Sequence, residues 1–345
     1  MKILNISYAL PSLRVSNQDL MRQVLERSRK HLSLGDLKKL ERKIKKCFRM
    51  SGTDTRYHRN GGELAWDFAL KAGKKALDAA GVDPEDIDLL IYAGVGRGWI
   101  EPATANLFQH ELGLARATCF DVMDACASWI RSLSIAKSFL DQAVYRMVMI
   151  LNCEFCFREY ANLEITDIDN LENSFSAYTI GEAATATILT DDGDPENCSF
   201  SFRTWGEKHG LCKIPLPNAA DFTPENGHRP ITPMSFFTSP AELITFTITK
   251  LIRHFLETAP IAEQEHDLII GHEVTGWVTK RVARGAGLDP ERVFETHPRF
   301  GNTVSASLPL GLAVAESEGR LKRGMRVLLL MGSAGVTTGL GSFEY

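Results

Sequence analysis

Phe120-Asp121-Val122-Met123-Asp124-Ala125-Cys126-Ala127-Ser128-Trp129 is the stretch on which the reading of this chain turns. Ala117 to Val122 is a short apolar run that reads as a buried strand. Ile130, Leu133, Ala136, Phe139 and Leu140 then recur at helical spacing. Cys126 falls at the junction, near the first turn of that helix. A helix N-terminus presents free N–H groups and partial positive charge, which favour a thiolate. A strand–turn–cysteine–helix element is therefore a mount for a nucleophile. A small buried core cysteine is the competing reading of the same residues.

The 345 residues are 44% hydrophobic and 24% charged, ordinary composition for one large or two medium globular domains. A net charge of −4 gives no general attraction to nucleic acid or to an anionic membrane, and no nucleic-acid partner is expected. The start, Met1 to Ile6, reads as a strand rather than a secretory leader, and no apolar run reaches membrane-spanning length. Seven cysteines, an odd number spread along the chain, fit reduced thiols and a cytoplasmic location. Cys153 and Cys156 form a lone CxxC with no second pair and no histidine cluster, so no metal is expected and burial at a strand end is the simpler reading.

A first helix starts at Ser16 or Asn17 with Leu20, Val24 and Leu25 inward. Lys38 to Lys46 is a basic amphipathic segment, read as a solvated helix face, with docking of an acidic carrier protein as the alternative. Another helix runs to Ala80 and is closed by Gly81. Asp88–Tyr92, Met147–Leu151, Ala183–Thr190, Asp267–Ile270 and Met325–Leu330 read as strands. Pro102 sits where a helix would begin, and another helix spans Pro240–Leu256. Residues 155–180 are a polar excursion above the core. Residues 191–240, with Pro215, Pro217, Pro224, Pro230 and Pro233, read mostly as loop. Gly332-Ser333-Ala334-Gly335 is a glycine-rich turn before a last short segment. Strands alternating with helices give an α/β fold with largely parallel or mixed sheets.

The chain also repeats. Asp88-Leu89-Leu90-Ile91 aligns with Asp267-Leu268-Ile269-Ile270, Leu133-Ser134-Ile135-Ala136 with Leu312-Ala313-Val314-Ala315, and Val148-Met149-Ile150-Leu151 with Val327-Leu328-Leu329-Leu330. All three pairs share one offset, that from Asp88 to Asp267. Two similar α/β halves, 1–195 and 196–345, follow from this. In register, Ser305 corresponds to Cys126, Asn302 lies just before that copy, and His272 follows the copy of strand 88–91. Pseudo-twofold halves bring equivalent strand ends together, so Cys126, His272 and Asn302 can converge.

These residues resemble the thiolase-fold condensing enzymes, in the ketoacyl synthase III branch. Asp124-Ala125-Cys126-Ala127 is similar to the nucleophile motif. The interval from His272 to Asn302 matches the family's spacing, Gly301-Asn302-Thr303 and Ala306-Ser307-Leu308-Pro309-Leu310 resemble its asparagine motif, and Gly332 to Gly335 its terminal turn. The resemblance implies a layered αβαβα fold, with the cysteine in the first half, beneath a cap at 155–180, and the histidine and asparagine in the second. It implies that Cys126 takes an acyl group from a CoA or acyl-carrier-protein thioester, with no cofactor. It implies that His272 and Asn302 hydrogen-bond a thioester oxygen as it becomes an enolate. The backbone N–H groups of Cys126 and Ser333 would hold the acyl-enzyme's oxyanion.

The chain departs from the common decarboxylating branch. In register with Ser51-Gly52, Lys46 and Met50 stand where that branch has an aromatic and an arginine clamp for CoA. Glu273 to Trp277 replace its Gln-Ala-Asn run and arginine, which counts against its usual mode of binding CoA. Arg97-Gly98-Trp99-Ile100-Glu101-Pro102-Ala103-Thr104-Ala105 resembles instead the OleA-type enzymes, which join two acyl thioesters head to head without a malonyl group. In that type the glutamate before the proline reaches the cysteine of the partner chain. A condensation that loses no carbon dioxide must remove an α-proton and so needs a base. Glu101 would serve if an apolar pocket raised its pKa. The bland alternative puts it in the first turn of a helix starting at Pro102. The expected enzyme is thus a dimeric, non-decarboxylating acyltransferase making a β-keto acid or its thioester. Alternatives are a decarboxylative synthase using malonyl carrier protein, a pyrone- or dione-forming ketosynthase, and an acyltransferase to an alcohol or amine. A catalytically silent dimer partner is the remaining one.

Overall fold

The computed structural model describes residues 1–222 and 232–345, which form two mixed sheets with helices between and outside them. The first sheet has the order Lys2–Ala9, Ala183–Thr190, Met147–Glu154, Leu89–Ala93, Thr118–Val122. Its last three strands are parallel and its other pairs antiparallel. The second runs Leu268–Gly271, Arg326–Ser333, Thr337–Glu344, Cys198–Thr204, with the first pair parallel and the others antiparallel. The chain crosses from one sheet to the other over residues 191–197.

Side chains on a strand alternate between its faces. Leu89, Ile91 and Ala93 meet the central helices Ser128–Asp141 and Ser307–Ser317, while Leu90 and Tyr92 meet the outer helices Ala65–Ala80 and Thr104–Glu111. A strand covered on both faces needs the unbroken apolar run that this one has. Pro240–Leu256 and Val278–Gly285 cover the outer face of the second sheet. The layers are therefore α, β, α, β, α. Ser307–Ser317 is buried from Ser307 through Ala315, and its sequence is accordingly apolar all round.

The repeat is structural. Leu89 pairs with Val148 and Leu90 with Met149, and at the same offset Leu268 pairs with Val327 and Ile269 with Leu328. The central helices begin at the equivalent residues Ser128 and Ser307. Just before them, Ala125 and Val304 take positive φ, 46° and 52°.

The excursion 155–180 packs against the first two helices. Phe157, Leu163, Leu171 and Tyr178 share an apolar cluster with Leu20 and Val24 of helix Asn17–Ser28 and Leu40, Ile44 and Phe48 of helix Leu34–Ser51. Ser16 caps the first of these through the Asp19 N–H. Lys38, Lys39, Arg42, Lys45 and Lys46 face outward, as a solvated helix face requires.

Several expectations need correction. Thr118–Val122 is an edge strand with one neighbour, so Thr118 is exposed and the rest half-buried. Cys198–Thr204 is a full strand inside the tract read as loop. Its Cys198, Phe200 and Phe202 alternate onto the core while the serines between them do not. Pro224 and Pro230 of that tract lie outside the described residues. The closing segment is a strand, Thr337–Glu344, that bridges two others. The helix expected at Pro102 begins at Thr104. Among the described residues no helix is long and apolar enough to cross a membrane.

Candidate active site

Cys126 sits on a tight elbow between strand Thr118–Val122 and helix Ser128–Asp141. The helix starts two residues after it, with Ala127 as cap, rather than at the cysteine itself. The positive φ of Ala125 is held in place by local bonds. Asp124 N–H donates to Ser128 Oγ (2.8 Å), Ser128 Oγ donates to Ala125 O (2.7 Å), and Arg131 grips the Asp124 carboxylate (2.9 Å). Ser333, at the end of strand Arg326–Ser333, closes the elbow from the other half. Its hydroxyl accepts from Ala127 N–H (3.2 Å) and donates to Asp124 O (3.1 Å).

His272 leaves the end of strand Leu268–Gly271, and its N–H donates to Leu330 O (2.9 Å), in the strand that ends at Ser333. Its Nδ1 lies 3.1 Å from Ser307 Oγ, and Thr303 Oγ1 lies 3.3 Å from that same oxygen. Ser307 thus couples His272 to the segment bearing Asn302. The His272 Nε2 is buried and without a partner among the described residues. The Ser307 hydroxyl donates to Val304 O (2.8 Å) and with that bond made can only accept from Nδ1–H; when it turns to donate to Nδ1 instead, the ring proton sits on Nε2, available to a substrate oxygen. Burial, and then the nearby His297, lower the His272 pKa to about 3, so the ring is neutral at ordinary pH.

Asn302 is placed by its backbone. Its N–H donates to Thr179 O (2.8 Å), and Gly181 N–H donates to Asn302 O (3.0 Å). Gly301 before it has φ 69°, and a Cβ there would lie 2.3 Å from Thr179 O. Glycine is what lets the chain pass that close. Asn302 Oδ1 accepts from Val304 N–H (2.9 Å), which leaves the amide NH2 as the end free to donate.

The electrostatics of the cysteine differ from expectation. Cys126 is half-buried, and its thiol is pushed well above the ordinary thiol value. Burial is the largest cause, followed by the neighbouring Cys212 and Glu154; a backbone N–H works weakly the other way. The resting group is a thiol, because loss of water outweighs a helix end that begins beyond it. Cys212 and Glu154 were not singled out in the sequence as neighbours of this site. For Glu154 a signal existed, since it stands in the first half where Ser333 stands in the second. It is buried and accepts from Val95 N–H, Gly96 N–H and Ser305 Oγ. Cys153 and Cys156 are both buried with raised thiol pKa, and no metal-holding cluster occurs among the described residues.

Glu101 does not join this group within one chain. It lies on the exposed tip Gly98–Pro102 beside Trp99 and Ile100 (40% and 74% exposed). It is outside the helix that starts at Thr104, so the helix-turn alternative is ruled out. The tip is anchored at its base. Asp121, on the open edge strand, accepts from Thr104 N–H (2.8 Å) and Ala105 N–H (2.9 Å) and pairs with Arg97 (3.6 Å).

Residues 120–206 match the model of 3-oxoacyl-[acyl-carrier-protein] synthase III, and residues 256–345 match that of its C-terminal part, more than half of the chain between them. The chain belongs to the 3-oxoacyl-[acyl-carrier-protein] synthase III family. It is an acyltransferase and condensing enzyme of the thiolase superfamily. Cys126 lies in the first matched segment; His272, Asn302 and Ser333 lie in the second. Crystal structures of OleA from Xanthomonas campestris share the fold along the whole chain. A variant matches at TM-score 0.82 and 21% identity, over 99% of this chain and 97% of that one. The cerulenin-bound form matches at 0.83 and 21%, over 99% and 96%. A variant with bound lauric acid and lauroyl-CoA matches at 0.81 and 21%, over 99% and 98%.

Proposed function

We propose that this enzyme joins two acyl thioesters, from CoA or acyl carrier protein, without decarboxylation, and works as a cytoplasmic homodimer. Cys126 attacks the first thioester, its sulfur bonding to the acyl carbon as the CoA or carrier thiol leaves with the proton. Backbone N–H groups of Cys126 and Ser333 stabilise the oxyanion of that step. Glu101 of the second chain removes an α-proton from the second thioester, and the enolate oxygen is held by His272 and Asn302. The α-carbon then attacks the acyl-Cys126 carbonyl, the C–S bond to Cys126 breaks and the proton taken by Glu101 restores the thiol, leaving a β-keto thioester that water hydrolyses to the β-keto acid with loss of the second CoA or carrier thiol. A donor of this kind contributes roughly 3–4 kcal/mol to the transition state.

The observation that carries the reading is the placement of Glu101. It is held on an exposed tip between Trp99, Ile100 and Pro102, anchored to Asp121 of the open edge strand Thr118–Val122, which is itself followed by the exposed Met123 (66%). An unpaired strand edge with exposed apolar side chains is a surface that a second copy covers. A glutamate so placed serves a neighbour's cavity, where losing water would make it a base. The OleA structure with lauric acid and lauroyl-CoA supports fatty acyl groups as the substrate class. The second reading, favoured by the family's own description, is decarboxylative condensation with malonyl carrier protein.

Incubation with one saturated acyl-CoA, with and without malonyl-CoA, separates the two by mass spectrometry of the products. Condensed product from acyl-CoA alone, lost in Glu101→Gln, is the expected result. Product that requires malonyl-CoA and survives Glu101→Gln would overturn it.

A further inference from the structure

We propose that Glu273 is a positioning residue that braces His272 against the segment carrying Asn302. The inference rests on the roles proposed above for those two side chains. Glu273 follows His272 directly and is 3% exposed. Its Oε2 accepts from the N–H groups of Thr296 and His297, both at 2.8 Å, and from Thr296 Oγ1 at 3.4 Å. Its backbone carbonyl accepts from His297 Nδ1 (2.6 Å), and His297 Nε2 meets Thr53 Oγ1 (2.6 Å). From His297 the chain makes the single turn His297–Phe300 and then reaches Gly301 and Asn302. One residue thus ties the strand end that aims the histidine to the turn that aims the asparagine. Both must point at the same enolate oxygen, and a small misplacement of such a pair is costly to rate.

The charge on this brace has a meaning of its own. Glu273 Oε1 is buried and has no partner among the described residues. A glutamine oxygen would accept from the same two N–H groups without a buried charge, so what the carboxylate adds is the stronger hold of an ionised acceptor. Burial pushes its pKa up to about 7, against the N–H groups of His297 and Thr296, and Glu295 pushes the same way. Glu295 is itself paired with Lys280 (2.6 Å), Arg299 is paired with Glu318 (2.5 Å), and Arg56 acts on His297. His272 and His297, lowered to about 3 and 4, do not change charge near neutrality. The brace is therefore ionised and tight above pH 7, and neutral and looser below it.

The test uses full-length enzyme first acylated on Cys126, then mixed with the second thioester, with single-turnover condensation followed from pH 6 to 8. The wild type is expected to show a rate step with a midpoint near 7. Glu273→Gln should keep normal Cys126 acylation, lose the step, and stay at the wild type's acid-limb rate. Glu273→Ala should condense about 10- to 100-fold more slowly at every pH. A Glu273→Gln enzyme that keeps the midpoint near 7 overturns the inference, and this variant decides the matter even if Glu273→Ala does not fold. His272→Ala runs in parallel. If it alone abolishes condensation while Glu273→Ala is normal, only the brace fails. If His272→Ala condenses normally, the reading of the site on which the brace rests fails with it.

Discussion

Two inactive chains should make one working enzyme. Glu101→Ala keeps Cys126 but lacks the base, and Cys126→Ala keeps the base but lacks the nucleophile. Within one chain, the tip bearing Glu101 is held at both feet by Asp121, which accepts two backbone hydrogen bonds from Thr104 and Ala105 and pairs with Arg97. If the base crosses to the second chain, a mixed dimer has one site with both groups and one with neither. Random pairing makes about half of the dimers mixed, with one of two sites complete, so the mixture should recover about one quarter of wild-type activity. Mixed dimers isolated through a different tag on each chain should reach about one half. The assay is condensed product from a single acyl-CoA. Verified mixed dimers with no activity would refute the crossing of Glu101, because each site would then need both residues from its own chain.

Asn302→Ala and His272→Ala should each slow condensation about 10²–10³-fold while the acyl-Cys126 adduct still forms, as intact-mass spectrometry would record; equal loss of both steps would contradict separate roles. The raised Cys126 thiol loses its proton only above the ordinary thiol range, so its reactive fraction must climb as pH rises. Alkylation of Cys126 by iodoacetamide, read on its own peptide, should increase about tenfold per pH unit from 7 to 9 without levelling off, and a plateau below pH 8 would contradict it. Gly301→Ala forces a Cβ to within 2.3 Å of Thr179 O at φ 69°. It should cost about 1–3 kcal/mol in a denaturant melt and impair condensation more than acylation, whereas an unchanged melt would show that the turn has slack.

Legibility in the sequence followed the range over which each residue is determined. The repeat was readable because buried parallel strands demand unbroken apolar runs, and those runs kept one offset that became the strand register. Cys198–Thr204 was not, because it is an outer strand whose serines face away from the core, and nearby prolines spoke for loop. The elbow at Cys126 was legible as a junction. The state of its thiol was not, since Cys212 and Glu154 arrive from distant parts of the chain. Glu101 could be named from its neighbours in sequence, but the role proposed for it requires a second chain, which no feature of one sequence displays. Glu273 stood out only as a departure from a motif until its oxygen was seen on Thr296 and His297.

The twin elbows at Ala125 and Val304 give the molecule two equivalent frames, and side chains alone decide that they are not two equal doors. Where one frame presents the half-buried Cys126, the other presents Ser305, with no exposed surface, its hydroxyl given to Glu154 and approached by Asn152 Nδ2 (2.9 Å). Ser333, which closes the open frame with a small hydroxyl, has as its counterpart that same bulky Glu154. A cysteine placed at position 305 would therefore inherit the backbone of a nucleophile and none of its access. Two matching backbones thus carry one accessible candidate nucleophile, and the second frame contributes a filled, hydrogen-bonded interior beside it.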